Sequence, residues 1–316
     1  MPTQPTIKAA TANIAGAARQ LNTQSRNLEV LAGILSGCDL IGLQEVVSVF
    51  SADGDVVRDD LAQLMAFADL SEYHAFFFCR LDSHQHSSPL KWGGAAFVEY
   101  YEKNCRILQG DAILIKNDHF VCDFWNDARE GAALFQPIPW YTGKPTFYQG
   151  NRNTEPRAML LTRVKIGGQN VLYCCTHLSA LSEENHKDGA ASYRKPTDHA
   201  TALRRRQVEW IAQFIQSYQN AAEKEPVILS GDFNAAPDAP ELAALQSLDL
   251  QLVPFSAGSG DYTHRGHRLL IDLIFADRRF SGTSEIIDLS KYEVAGAPPI
   301  SDHLPVISTL TLPQNG

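Results

Sequence analysis

Val227-Ile228-Leu229-Ser230-Gly231-Asp232-Phe233-Asn234-Ala235 is the stretch whose reading decides the fold. Val227, Ile228 and Leu229 read as the end of a buried strand, and Gly231 permits a sharp turn where a side chain would crowd the backbone. Asp232 and Asn234 follow two residues apart, so on locally extended backbone both side chains point to one side. One carries a full negative charge, the other an amide that donates and accepts. Such a pair can hold a water beside a metal-bound phosphate. The same letters also describe an Asx turn that closes a strand, so the rest of the chain has to choose.

Other apolar segments are loaded in the same way. Residues 7–14 read as a strand ending near Asn13, and 40–46 as a short strand with Glu45 at its end. Residues 158–166 and 170–176 form a hairpin pattern around Gly167-Gly168, and its second strand runs into His177. Residues 269–275 read as an apolar strand interrupted by Asp272, a carboxylate costly to bury without a partner. Ser301-Asp302-His303-Leu304-Pro305 leads into a last strand ending at Leu312. Strands are also expected at 74–79 and, behind a turn, at 110–115. Helical spacing marks 25–35, 59–68, 199–218 and a short piece at 240–248. The Arg204-Arg205-Arg206 run on the long helix reads as a solvated face.

The composition describes an ordinary globular protein: 316 residues, 44% hydrophobic and 20% charged. No apolar run approaches the ~20 residues of a membrane helix. The first residues have neither a basic n-region nor an apolar h-region, which gives the expectation of a cytoplasmic location. With 27 basic and 36 acidic side chains the net charge is −9. Long-range repulsion then disfavours a polymeric nucleic acid as partner, although a divalent metal can reverse the field at one site. The six cysteines contain no C-x-x-C and read as reduced thiols, with Cys174 and Cys175 on opposite faces of one strand. His84-x-His86 sits in a polar stretch and reads as an incidental loop pair.

Asn13, Glu45, His177, Asp232, Asn234, Asp272, Asp302 and His303 thus terminate or interrupt apolar strands. Repeated loading of strand ends suggests one site built on rigid elements. Carboxylate oxygens suit Mg²⁺ or Mn²⁺ better than a thiolate-seeking metal. The histidines can move protons or stabilise charge.

In order, Asn13, Gln44-Glu45-Val46, Gly110-Asp111-Ala112-Ile113-Leu114, Thr176-His177-Leu178, Gly231-Asp232-Phe233-Asn234, Ile271-Asp272-Leu273 and Ser301-Asp302-His303 resemble the endonuclease/exonuclease/phosphatase superfamily, the DNase I-like proteins. The match runs from residue 7 to 312, so 1–316 is expected to be one catalytic domain with insertions near 117–156 and 179–201. The resemblance implies an α+β fold, a four-layer αββα sandwich of two mixed sheets face to face with helices outside. It implies Glu45 as the main Mg²⁺ ligand, with Asn13 and Asp302 nearby. Asp232 and Asn234 would position water and phosphate, Asp272 would orient His303, which would contact the phosphate or take a proton, and His177 would steady the phosphate or the leaving group. Arg157 matches a place where relatives often carry a basic residue. The chain departs from the pattern at Cys175, where many relatives have Asn, so a hydrogen bond near His177 is expected to be lost. Phe233 and His177 depart from the repair-nuclease pattern.

The expected activity is hydrolysis of a small or amphiphilic phosphodiester or phosphomonoester by a metal-dependent phosphoesterase. A nuclease on DNA or RNA and a catalytically silent binding module on the same scaffold are the rivals. Residues 117–156 carry Phe120, Phe124, Trp125, Phe135, Trp140, Tyr141, Phe147 and Tyr148 among Pro, Gly and Asn. Rigid aromatic surface of this kind suits an apolar part of a substrate. If Trp125 and Trp140 bind substrate, Trp125→Ala and Trp140→Ala keep near-native melting but change the kcat/KM ratio between an apolar and a polar phosphodiester. Equal losses on both substrates that track stability would instead make these side chains packing for the insertion.

Overall fold

The computed structural model describes residues 4–14, 24–67, 70–84, 100, 102–121, 133–138, 157–180, 198–221, 224–296 and 299–312. One sheet contains β1 (Thr6–Asn13), β2 (Leu40–Phe50), β3 (Val56–Asp59), β4 (Tyr73–Asp82), β5 (Arg106–Lys116), β12 (Ser281–Ile286) and β13 (Val306–Thr311). Its strand order is β12-β13-β1-β2-β5-β4, with β3 beside β2. The other contains β6 (Ala133–Ile138), β7 (Arg157–Ile166), β8 (Gln169–His177), β9 (Val227–Asp232), β10 (Leu250–Leu252) and β11 (Asp272–Asp277), in the order β10-β11-β9-β8-β7-β6. Among the described residues each sheet has one parallel pair, β1 with β2 and β8 with β9, beside antiparallel neighbours.

Alternation along the strands sends residues to two separate cores. Leu160, Tyr173, Cys175 and Ile228 of the second sheet pack with Ile7, Leu40 and Ile113 of the first, which makes the inter-sheet layer. Their neighbours Met159, Leu161, Leu172, Cys174 and Leu229 face the other way, onto Val208, Ile211 and Ile215. Those three belong to α3 (Asp198–Ala221), which packs with the 3-10 helix Pro240–Leu248 outside the second sheet. Leu28, Leu31 and Leu35 of α1 (Gln24–Leu35) and Leu64 of α2 (Asp60–Ala66) cover the first. This is the expected α+β sandwich with two mixed sheets. Cys174 and Cys175 lie on opposite faces, and Cys38, Cys79, Cys105, Cys174 and Cys175 are free thiols.

Several expectations change in detail. The hairpin holds, with Gly167 and Gly168 both at positive φ, as a tight turn between twisted strands requires. The turn expected before 110 is absent: Gly110 lies inside β5, where a Cβ would come 1.8 Å from the Phe78 carbonyl oxygen. Gly231 likewise lies within β9 and permits close strand approach, since a Cβ there would meet Thr176 O at 2.0 Å. The stretch 117–156 is not without structure: β6 pairs antiparallel with β7, and Phe120 stacks on His74 with ring centroids 3.8 Å apart. Trp125, Trp140 and His86 lie outside the described residues. Arg204 corrects the solvated-face reading. It is fully buried against Glu241, at 2.7 Å, because it sits on the inner side of α3.

Candidate functional site

Backbone register assembles half the site. His177 pairs with Asp232 across β8 and β9, and Asp232 pairs with Asp272 across β9 and β11. The three side chains therefore stand in a row at one end of the second sheet, about one strand spacing apart. Asn13 ends β1 in the facing sheet, and its Nδ2 donates to Asp232 Oδ2 at 3.1 Å and to Glu45 Oε1 at 3.3 Å. One amide thus ties the two sheets together through two carboxylates.

Glu45 reaches this place through a defect in β2. Leu43 pairs with Ala112 and Val46 with Gly110, so Gln44 and Glu45 together oppose Asp111. This is a β-bulge, and Glu45 takes the left-handed conformation at φ 58°. Such a conformation costs a non-glycine residue about 1–3 kcal/mol and is tolerated where the surroundings enforce it. The sequence reading put Glu45 at the end of a short strand, but β2 continues to Phe50. What resembled an end is the bulge. Gln109 Nε2 holds Glu45 Oε2 at 3.1 Å, fixing the carboxylate from its other side.

Asn234 combines both readings of the opening motif. Its N–H donates to Asp232 Oδ1 at 2.9 Å, an Asx turn, with Asn234 at φ 48°. Its Nδ2 donates to Leu178 O at 3.0 Å, linking it to the loop after His177. That loop is held from behind: Gln207 bonds both Ser179 N and Ser179 Oγ, and Arg204 Nη1 reaches Ser179 O at 3.4 Å.

Asp272 starts β11, one position after the apolar run, so it is not interior to the strand as the sequence suggested. Thr263 Oγ1 accepts from Ile271 N and Asp272 N at 3.0 and 2.9 Å and anchors it. His303 Nδ1 donates to Asp272 Oδ2 at 2.8 Å and lies 3.9 Å from Asp232 Oδ2. His303 N donates to Ser301 Oγ, which donates to Asn13 O. Asp302, between them, acts electrostatically on His303 and His264. Arg157 opens β7 and is buried at the same end of the sheet.

The electrostatics are those of a crowded acidic pocket. Burial, then the Asp272 charge, pushes Asp232 up to about 7, while His303 and the Asn234 and Asn13 hydrogen bonds oppose. Burial alone would lower His303, but the Asp272 carboxylate, its hydrogen bond, and Asp232 together raise it to about 10. His303 is therefore an imidazolium at neutral pH. Both shifts make the folded state hold more protons than the unfolded chain between about pH 4 and pH 10. The contribution of this cluster to stability accordingly falls as pH rises across that window.

The donor set fits a hard cation. The carboxylates of Asp232 and Asp272 bring ligand oxygens within 4.8 Å of one another, and the protonated His303 beside them is a hydrogen-bond donor, not a ligand. Asp272 Oδ1 is buried and has no hydrogen-bond partner among the described residues. Two carboxylates, Glu45 and Asp232, meet at the Asn13 amide, and hard oxygen donors of this kind suit a divalent cation. The nearby thiol is turned away: Cys175 lies between the sheets and accepts from Gln44 Nε2 at 3.2 Å. The departure at Cys175 thus retains a hydrogen bond of its own.

Three site neighbours, Arg80, His264 and Gln109, escaped the sequence reading, and Asp111, quoted there within a motif, was given no role. Arg80 and Asp111 are buried beside His177; His264 stacks edge-on against His303 with centroids 4.7 Å apart; and Gln109 holds Glu45. Burial, then the His303 charge, lowers His264 to about 4, so its ring is neutral. A lone Arg80 after Phe76-Phe77-Phe78-Cys79 carries the same signal that singled out Asp272, a charge inside an apolar strand.

No curated protein sequence matches the chain. Solved structures do. An endonuclease/exonuclease/phosphatase from Bacteroides vulgatus is 17% identical over 98% of this chain and 99% of its own, with a TM-score of 0.60. The human Nocturnin catalytic domain with bound sulfate anion is 19% identical, covering 97% of this chain and 93% of its own, at 0.60. TDP2 from C. elegans is 14% identical, covering 97% and 75%, at 0.57. These identities speak for the fold. The profile of the Endonuclease/Exonuclease/phosphatase family matches residues 10–303. With that match spanning nearly the whole sequence, the chain belongs to the Endonuclease/Exonuclease/phosphatase family.

Proposed function

We propose that the protein is a Mg²⁺-dependent phosphoesterase that hydrolyses a small or amphiphilic phosphodiester or phosphomonoester by in-line attack of water, Mn²⁺ being the alternative metal. The observation that carries this reading is the Asp232 carboxylate, bonded to Asn13 of one sheet and facing His177 and His303 on the other side. Glu45, Asn13 and Asp302 would hold the metal. A divalent cation there neutralises phosphate charge and stabilises the leaving oxygen.

The remaining residues have separable tasks. Asp232, pushed up to about 7, has the affinity for a proton that a base acting on water needs near neutral pH. Asn234, fixed by its bond to Leu178, orients the same water or a phosphoryl oxygen. His303 already carries both ring protons in its pairing with Asp272, so its second N–H stabilises transition-state charge and does not accept a proton. His177 and Arg157 complete the anion-facing wall.

A screen over a lipid headgroup ester, a small phosphodiester, a phosphomonoester and nucleic acid, each with Mg²⁺, Mn²⁺ or EDTA, tests the reading. Turnover of one of the first three that EDTA abolishes supports it. Preferential cleavage of nucleic acid makes the protein a nuclease, and no turnover with any substrate makes it a binding module. The net charge of −9 weighs against the nuclease.

Two substitutions sharpen the assignment. Glu45→Gln removes an anionic oxygen without changing shape, so Mg²⁺ affinity measured by calorimetry drops at least about tenfold, roughly 1.4 kcal/mol, with melting of the metal-free protein retained. Unchanged affinity removes Glu45 from the metal site. Asp272→Asn and His303→Ala should each lower kcat by about a hundredfold or more, and the double variant should be little worse than His303→Ala. Additive losses in that cycle would break the proposed pairing.

A further inference from the structure

His177 stands 3.5 Å from Asp232 Oδ2 through Nε2, and its other ring nitrogen faces Arg80. Arg80 Nη2 lies 3.3 Å from His177 Nδ1. A guanidinium has only donors and keeps its protons in proteins. For this contact to be a hydrogen bond, Nδ1 must accept, and a ring whose Nδ1 accepts carries its single proton on Nε2. Resting on the phosphoesterase reading for its purpose, we propose that Arg80 is a positioning residue that fixes His177 as the Nε2–H tautomer. His177 then presents a hydrogen-bond donor to the phosphoryl oxygens beside Asp232.

Arg80 is placed for this by a second strand irregularity. Cys79 pairs with Gly110 and Leu81 with Gln109, so Arg80 is the extra residue in β4. The bulge turns its side chain into the interior, where it is completely buried. Arg80 Nε lies 2.6 Å from Asp111 Oδ2, a buried ion pair that balances the guanidinium charge beside His177. Asp111 Oδ1 lies 3.9 Å from His177 Nδ1, beyond hydrogen-bond reach. Asp111 is thus the rival orienter. If it held Nδ1–H in place of Arg80, Nε2 would be bare and His177 could take a proton. The Arg80 contact at 3.3 Å selects the donor form.

The consequence is a division of labour between two histidines. His303, oriented by a carboxylate, donates as an imidazolium. His177, oriented by an arginine, donates as a neutral ring, which adds no further positive charge between Arg80 and His303.

Imidazole nitrogen chemical shifts of isotope-labelled histidine read the tautomer directly, with the His177 signals identified by their loss in His177→Gln. Wild-type protein should show an unprotonated Nδ1 and a protonated Nε2. Arg80→Met should convert His177 to Nδ1–H facing Asp111 and lower kcat about a hundredfold with KM near wild type, while Arg80→Lys should retain the Nε2–H pattern. A wild-type spectrum with Nδ1–H, or with both nitrogens protonated, overturns the proposal even if Arg80→Met does not fold. So does an unchanged tautomer in folded Arg80→Met. The wild-type spectrum needs no substrate, so an inactive protein would count against the phosphoesterase reading and leave this inference standing.

Discussion

Everything at this site depends on keeping the Asp232 carboxylate buried. It is 1% exposed, within reach of Asp272, and costly to ionise there. The surrounding structure offsets that cost with directed partners: Asn13 Nδ2, Asn234 N–H, and the His177 and His303 rings. Those partners come from strands or strand ends in both sheets. Holding one carboxylate therefore constrains how the two halves of the sandwich meet, and the same partners surround the candidate site.

Rigidity at this site is bought with local irregularity. Glu45 and Arg80 both enter through bulges, on β2 and β4, on either side of Asp111 in β5. An ideal ladder sends successive residues to opposite faces, and the extra residue of a bulge breaks that alternation and re-aims its side chain. Gly110 lets β4 and β5 close tightly between the two irregularities. The strained backbone of Glu45 and the crowded charges of Asp232, Asp272 and His303 all raise the energy of the folded site. A divalent cation, which binds the folded state and neutralises that charge, would recover part of it.

The sequence made the architecture legible because burial leaves periodic traces. Alternation in 170–177 separates Cys174 from Cys175 and points to the two cores, and Gly167-Gly168 marks the hairpin. Most of the ordered polar residues read at strand ends are brought together in the candidate site. What escaped was set by contacts across the chain. No local pattern distinguishes the bulge at Gln44-Glu45 from a strand end, because its cause is the pairing with Asp111. Arg204 looked solvated among its arginine neighbours, because only its partner Glu241, distant in sequence, reveals that its face is inward. The edge strands β3, β10 and β12 were missed because they are short or largely exposed, and carry little apolar periodicity.

The central claim is that water, activated beside Asp232, attacks phosphorus and breaks a P–O bond in a metal-dependent reaction. Turnover of a phosphodiester in water labelled with heavy oxygen, with Mg²⁺ and then with EDTA, measures this directly. The account predicts one labelled oxygen in the phosphate product, none in the released alcohol, and no turnover with EDTA. Label in the alcohol, or label incorporation that EDTA leaves unchanged, would contradict it.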